Sequence, residues 1–242
     1  MAISPTPRSP GPLDEVAVLV PALNEEATLP GLLRELSRSG IGSVVVVDNG
    51  STDGTGAVAA AGGATVVREE ERGYGAACLR GIEHLASMAE PPTAVAFVDA
   101  DARAELDHLT RLAGPVVRDE ADLVLGVREG PAGREGNVHL HARLGNRLVL
   151  GCARLLFGLR AGDLAPFRAI RFASLLALEM DDRNWGWTLQ MQIRAHREGL
   201  RVLEITVPHR PRPAGRSKIS GSPGASLRVG AKMFYTLLRE RL

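Results

Sequence analysis

Val16-Ala17-Val18-Leu19-Val20-Pro21-Ala22-Leu23-Asn24-Glu25-Glu26 opens the patterned part of this chain. Val16 to Val20 is a short apolar, mostly β-branched run, which predicts a strand buried on both faces, as in a parallel sheet. Reading outward, Glu25 to Ser39 carries Leu29, Leu32, Leu33 and Leu36 at helical spacing and stops at Gly40. Val44–Val47 predicts a second strand, followed by a turn rich in Asn, Gly, Ser and Asp and a short helix over Thr55–Ala61. Ala64–Val67 and Ala94–Val98 predict further strands, with a helix over Gly75–Ala89 between them. A helix over 105–118 and a strand over 122–126 complete the run. Strands alternating with helices imply an α/β domain with a mostly parallel, Rossmann-like sheet and helices on both faces. Ligands of such sheets lie beyond the C-terminal strand ends, so the residues just after each strand are the informative ones.

The second half is less regular. His141–Gly158 reads as a long helix with Leu144, Leu148, Cys152, Leu155 and Leu156 on one face; Arg143, Arg147 and Arg154 interrupt it and argue against membrane insertion. Gln190–Glu198 reads as a helix ended by Gly199, and Val202–Val207 as a strand. A Pro-, Arg- and Gly-rich loop over 208–224 precedes a C-terminal amphipathic helix, 225–242. That helix sets Leu227, Met233, Phe234, Leu237 and Leu238 against Arg228, Lys232, Arg239 and Arg241. Such a pattern suits docking on the sheet and equally suits lying at a membrane interface. Residues 1–14 read as a flexible tail, because Pro, Ser and Gly give them little to bury. No repeat or linker divides the rest, so one domain over 15–224 is expected, its halves meeting near 128 and 129.

At 242 residues the chain can build one well-buried core. Lys and Arg nearly cancel Asp and Glu, 29 against 28, which leaves no electrostatic case for nucleic acid as a partner. Cys78 and Cys152 are the only cysteines, too few for a disulfide framework, and they fit a reducing cytoplasm. No apolar run reaches the length of a transmembrane segment and no signal sequence precedes the first strand.

The strongest chemical signal is Asp99-Ala100-Asp101 at the end of a hydrophobic strand. Carboxylates two apart in extended chain point to opposite faces, but a turn just after Asp99 would let both reach one hard cation. The competing reading is a solvated pair that caps the next helix. Two further strand ends change the balance: Val20-Pro21-Ala22-Leu23-Asn24-Glu25-Glu26 and Val47-Asp48-Asn49-Gly50-Ser51-Thr52-Asp53-Gly54-Thr55.

With these three motifs in order and in register, the sequence resembles the family 2 glycosyltransferases, whose strand ends read close to "VPxxNEE" and "VDDGSxDxT" ahead of a DxD. It looks closest to the branch of dolichol-phosphate mannose synthases and bacterial polyprenyl-phosphate glycosyltransferases. The resemblance carries on through Arg72–Ala77, Leu125–Arg128, Asp163–Arg168 and Gly215–Lys218. It implies a GT-A fold, an inverting displacement, Mg²⁺ or Mn²⁺ as cofactor, and a nucleoside-diphosphate sugar of the GDP-mannose or UDP-glucose type as donor. The acceptor it implies is a polyprenyl phosphate or another phosphorylated acceptor; a polyprenyl phosphate would keep the enzyme peripheral at the membrane.

The same resemblance gives Asp99 and Asp101 the metal, with Ala100 between them; His209, which closes the last strand before the basic loop, could be a third metal ligand or a diphosphate contact. Asp48 would accept a hydrogen bond from the nucleobase, and Glu25 with Pro21, Ala22 and Leu23 would border the nucleoside. Gly73 and Gly75 would let the backbone approach the donor, the other reading being a simple turn. Asp163 belongs to the matched loop, and Arg128, Arg168, Arg216 and Lys218 could converge on a diphosphate or an anionic acceptor. Trp187 would stack on a sugar or fill the core. Asp53 is expected to cap the 55–61 helix.

Two positions depart from the pattern. Pro166 replaces a Ser-Gly, and Gln190 lies where relatives carry Glu. A hydroxyl acceptor needs a general base, whereas a phosphate is already ionised, so the loss of an acid at 190 tilts the reading toward a phosphorylated acceptor. A sugar nucleotidyltransferase would want a Gly- and Arg-rich loop after the first strand, and a dehydrogenase a G-x-G-x-x-G; Pro21–Glu25 is neither. A catalytically silent nucleotide-sugar-binding protein and a transferase acting on a hydroxyl remain the alternatives.

Overall fold

The computed structural model describes residues 13–102, 108–128, 140–208 and 223–242, with side chains placed at all of these except 140–144 and 223–228. Seven strands form one sheet: β1 (Val16–Ala22), β2 (Ser43–Asp48), β3 (Thr65–Arg68), β4 (Ala94–Phe97), β5 (Leu123–Arg128), β6 (Arg168–Arg171) and β7 (Val202–Val207), in the order β3-β2-β1-β4-β6-β5-β7. All neighbours run parallel except β6, which is antiparallel to both β4 and β5.

Strand alternation sorts the core into two layers. Val16, Val18, Val20, Val46, Ala96 and Val124 face one layer, against Leu29, Leu32 and Leu36 of α1 (Leu29–Arg38), Ala59 of α2 (Thr55–Ala61) and Leu112 of α4 (Leu109–Val117). Ala17, Leu19, Val47, Val95 and Phe97 face the other. There they meet Cys78 and Leu85 of α3 (Tyr74–Ala86), Phe172 and Leu175 of α6 (Phe172–Ala177), and Trp187 and Met191 of α7 (Trp187–Arg197). A third cluster joins the outer face of α7 (Leu189, Ile193) to Val149 and Ala153 of α5 (Leu140–Phe157) and to Met233 and Leu237 of α8 (Pro223–Arg239).

The expected architecture is therefore present, with one strand unforeseen. Arg168-Ala169-Ile170-Arg171 is only four residues long and has arginine at both ends, so it offers no apolar run to read. Its antiparallel course brings the N-terminal end of β6 to the edge where the parallel strands finish. No described helix is long and apolar enough to cross a membrane.

Candidate active site

The C-terminal edge of β1, β2, β4 and β5 gathers most of the sequence-predicted residues. Register pairs Ala22 with Asp48 and Leu19 with Phe97, and the Val98 amide donates to the Leu19 carbonyl at 3.1 Å. Asp99 thus stands level with Pro21, while Asp48 stands on the opposite flank of β1. Strands lie about 4.8 Å apart, so the Asp48 and Asp99 backbones are separated by about 10 Å across β1. The chain does turn after Asp99: the Ala102 amide donates to the Asp99 carbonyl at 2.9 Å. Asp99 and Asp101 are both partly exposed, whereas the Ala100 side chain is buried in the core.

The first two motifs clasp each other. The Asn24 carboxamide accepts from the Thr52 amide at 2.8 Å, and Ser51 Oγ accepts from the Asn24 amide at 2.9 Å. Thr55 Oγ1 accepts from the Glu25 amide at 2.8 Å, and the Glu26 carboxylate accepts from the Gly54 amide at 3.0 Å. Asn24 adopts φ of 49°, a left-handed conformation that Asn tolerates better than most residues. Glu25 is buried and accepts from Thr28 Oγ1 at 2.7 Å, so its carboxylate braces this loop from inside. Asp53 accepts from the Thr55 amide at 3.0 Å and from its hydroxyl, while Gly54 is the N-cap residue of α2. Asp48 accepts from the Ser51 amide at 2.9 Å and remains partly exposed.

Asn49, which sequence reasoning passed over, ties three segments together. Its Nδ2 donates to the carbonyls of Glu69 (3.3 Å) and Glu71 (2.6 Å), and its Oδ1 accepts from the Gly73 amide at 2.8 Å. The clue was its place between Asp48 and Gly50, in a turn that holds two loops.

Arg128 and Asp163 form a two-pronged ion pair, with Nε and Nη2 at 2.7 and 2.9 Å from the carboxylate oxygens. The Asn146 amide, at 3.2 Å, and the Leu164 amide, at 2.8 Å, complete the shell of Asp163. Burial would raise the Asp163 carboxyl, but the Arg128 fork, the Leu164 amide and Asn146 outweigh it and hold the group below its ordinary value. Arg128 stays partly exposed.

Several expectations are corrected. Trp187 is fully buried beneath the edge, its ring centroid 6.3 Å from that of Phe97, and so cannot stack on a sugar. Arg168 is also fully buried; its guanidinium lies 3.4 Å from the Pro166 and Thr188 carbonyls and 3.5 Å from that of Leu164, so it meets no substrate directly. Burial lowers its pKa, while Tyr74, Cys78, Asp99 and Asp163 push the other way. It is the register partner of Phe97, which puts it diagonally behind Asp99, about 7 to 8 Å away in ordinary antiparallel geometry. Gly73 and Gly75 permit close packing: a Cβ on Gly73 would overlap the Arg183 carbonyl and one on Gly75 the Asp182 carbonyl, and the Ala76 amide donates to the Arg183 carbonyl at 2.9 Å.

Gln190 is buried. It accepts from the Asp181 and Asp182 amides at 3.1 and 2.9 Å and donates to Asp181 and Glu240, both at 2.6 Å. A side chain at 190 braces a turn away from any acceptor, so its identity does not discriminate a phosphate from a hydroxyl. His209, Arg216 and Lys218 lie outside the described residues.

Two carboxylates on a turn, both partly exposed beyond the strand end, fit a hard divalent cation that takes its remaining oxygens from substrate and water. Among the described residues no third Asp, Glu, His or Cys joins them in a cluster. Residues 17–178 match the family described as Glycosyl transferase family 2. The chain belongs to that family.

Family 2 relatives cover nearly its whole length. An uncharacterized glycosyltransferase of Mycobacterium tuberculosis is 38% identical over 218 residues, 88% of this chain and 94% of the relative. The undecaprenyl-phosphate mannosyltransferase of Micrococcus luteus is 30% identical over 219 residues, 85% of this chain and 88% of that protein. Among solved structures, glucosyl-3-phosphoglycerate synthase of M. tuberculosis, in complex with Mn²⁺, UDP-glucose and phosphoglyceric acid, superposes with a TM-score of 0.73 at 25% identity, over 93% of this chain and 79% of that one. This family 2 chain is thus a glycosyltransferase with the GT-A architecture.

Proposed function

We propose that this glycosyltransferase is an inverting, metal-dependent enzyme that moves a hexose from a nucleoside-diphosphate sugar to a polyprenyl phosphate. The observation that carries the reading is the sharing of one sheet edge by Asp48, the Pro21–Leu23 backbone and the Asp99–Asp101 turn, about 10 Å from end to end. That span accommodates a nucleoside at Asp48 and a diphosphate at Asp99 and Asp101. Mg²⁺ or Mn²⁺, when bound, would neutralise charge on the departing diphosphate.

The protein's own groups do the rest. Asp48 accepts from the nucleobase and fixes the nucleoside; Asp99 and Asp101 would hold the metal. The acceptor oxygen attacks the anomeric carbon opposite the diphosphate, the new C–O bond forms as the C–O bond to diphosphate breaks, and the configuration inverts. Arg128, oriented by Asp163, offers a fixed cation to an anionic acceptor. An ionised phosphate needs no general base. The undecaprenyl-phosphate mannosyltransferase and a dolichyl-phosphate hexose transferase of Haloferax volcanii, 30% identical over 95% of this chain and 96% of that relative, support a lipid phosphate as acceptor.

The test is transfer from a panel of nucleotide sugars, with Mn²⁺ and with Mg²⁺, to polyprenyl phosphate, free polyprenol and a water-soluble phosphorylated acid. Asp101→Ala should abolish turnover while preserving the thermal melt. Full activity in that variant, or transfer to the free alcohol alone, overturns the reading.

A further inference from the structure

Among the described residues, Arg168 is the only arginine or lysine buried in the core, with an exposure of 0%. Its place follows from β6, where it is the register partner of Phe97 on one side and of Leu125 on the other. Cross-strand partners share a face, so its side chain enters the layer of Phe97, which α3 and α7 cover. There Nη1 reaches the Thr188 carbonyl at 3.4 Å and Met191 Sδ at 3.7 Å, Nε the Pro166 carbonyl at 3.4 Å, and Nη2 the Leu164 carbonyl at 3.5 Å. The bonds to oxygen are longer than the ordinary length of about 2.9 Å, and none of these partners carries a charge.

The backbone is shaped around this guanidinium. Leu164 and Pro166, whose carbonyls face it, flank Ala165, a buried residue held at φ of 38°. That left-handed conformation is unfavourable for a residue with a Cβ, so the loop is strained where it receives the cation. Tyr74 and Cys78 of α3 stand close by, and burial pushes both groups up, so they remain neutral. The Tyr74 hydroxyl is buried without a hydrogen-bond partner among the described residues, which leaves this layer poor in compensating polar contacts.

An enclosed cation requires an opposite charge. Two carboxylates act on Arg168 electrostatically, Asp99 and Asp163. Asp163 already receives the fork of Arg128 and the Leu164 amide. Asp99 is partly exposed, and its field reaches Arg168, Tyr74 and Cys78 together, so it caps this group from the strand end.

We infer that Arg168 is a positioning residue that acts through Asp99, holding its carboxylate where it meets a divalent cation. Ala100, buried in the core, pins the backbone of the turn, and Arg168 steadies the side chain beside it. Carboxylates that bind metals depend on such outer partners for their orientation. The inference rests on the assignment of the metal to Asp99 and Asp101.

The test is calorimetric titration of the full chain with UDP and with GDP, each in Mn²⁺ and in EDTA, so that the quantity read is the gain in affinity that the metal brings. Arg168→Met should lose roughly tenfold of that gain while binding in EDTA stays at the parent level. Arg168→Gln, which keeps a donor for the surrounding carbonyls, should lose as much and reports in its place if the Met variant does not fold. Arg168→Lys retains the charge and should retain most of the gain. In an Asp99→Asn background Arg168→Met should add no further loss, because the carboxylate it acts through is already gone. The inference is overturned if the neutral variants keep the full gain, if the Lys variant loses as much as they do, or if binding in EDTA falls in step. Asp101→Ala separates the two levels: if it loses the gain while the Arg168 variants keep it, only this inference falls, and if it too keeps the gain, the metal assignment falls with it.

Discussion

Asn49 and Asp163 show how single side chains hold the candidate site. Asn49 satisfies two carbonyls and one amide from inside a turn, so Asn49→Leu strands three polar groups at once. A stranded group costs about 1 to 3 kcal/mol where water is excluded, and these bonds are half-buried, so water and relaxation recover part of it. Urea unfolding should show a loss of about 1 to 2 kcal/mol, with weaker binding of a nucleoside diphosphate because Asp48 is the adjacent residue. Asp163 makes a pH-dependent contribution. Its carboxyl is held below the ordinary value in the folded state, so the stabilisation is complete above the unfolded value, near about pH 4, and disappears as pH falls through the lower folded value. Asp163→Asn should be less stable at neutral pH, with the deficit narrowing below about pH 4; a constant deficit across that range would contradict this account. The Asp99-Ala100-Asp101 turn and the Asp48 strand end were legible in the sequence because their chemistry is local. Trp187 and Arg168 misled because burial is set by what packs over a residue, and both are roofed by segments distant in the chain.

At the scale of elements, the junction between α8 and α3 matters most. Lys232 and Thr236 of α8 hold Asp182 at 3.0 and 3.1 Å, and the carbonyls of Asp182 and Arg183 press on the glycines that start α3. The C-terminal helix thereby props the segment that Asn49 anchors from the other side. Asp182 is buried while Lys232 is partly exposed, so breaking the pair costs less than the about 3 to 5 kcal/mol of a fully buried one, and Asp182→Asn and Lys232→Met should each lower the thermal midpoint. Their double variant should lose less than the sum, because the pair is destroyed only once. Gly75→Ala should destabilise as well and should weaken donor binding by displacing α3. A Gly75→Ala variant that melts like the parent would show that this contact is not tight. Helices α1 and α3 could be foreseen from their apolar spacing. The α8 tether was not legible, because Asp182 resembles any loop acid until its partner 50 residues later is placed beside it.

For the whole molecule, alternation of apolar runs predicted the doubly covered sheet because parallel strands buried on both faces read as unbroken β-branched stretches. The strand order could not be read the same way. Arg168–Arg171 is short and bounded by charge, yet it sits between β4 and β5, pairing Phe97 with Arg168 and Leu125 with Arg168. Two strands consecutive in sequence are thus kept apart by one that is made later.

That wedge has a consequence during synthesis. A ribosome that has delivered residues up to Arg128 has released β4 with nothing on its outer side and β5 with no place to go, until some forty residues more have emerged. In the interval the growing polypeptide carries a bare, fully apolar ladder edge, the kind of template that invites pairing with a stranger. Cutting the gene near the midpoint should therefore yield inclusion bodies rather than a working nucleotide-binding half, and only the intact reading frame closes the gap.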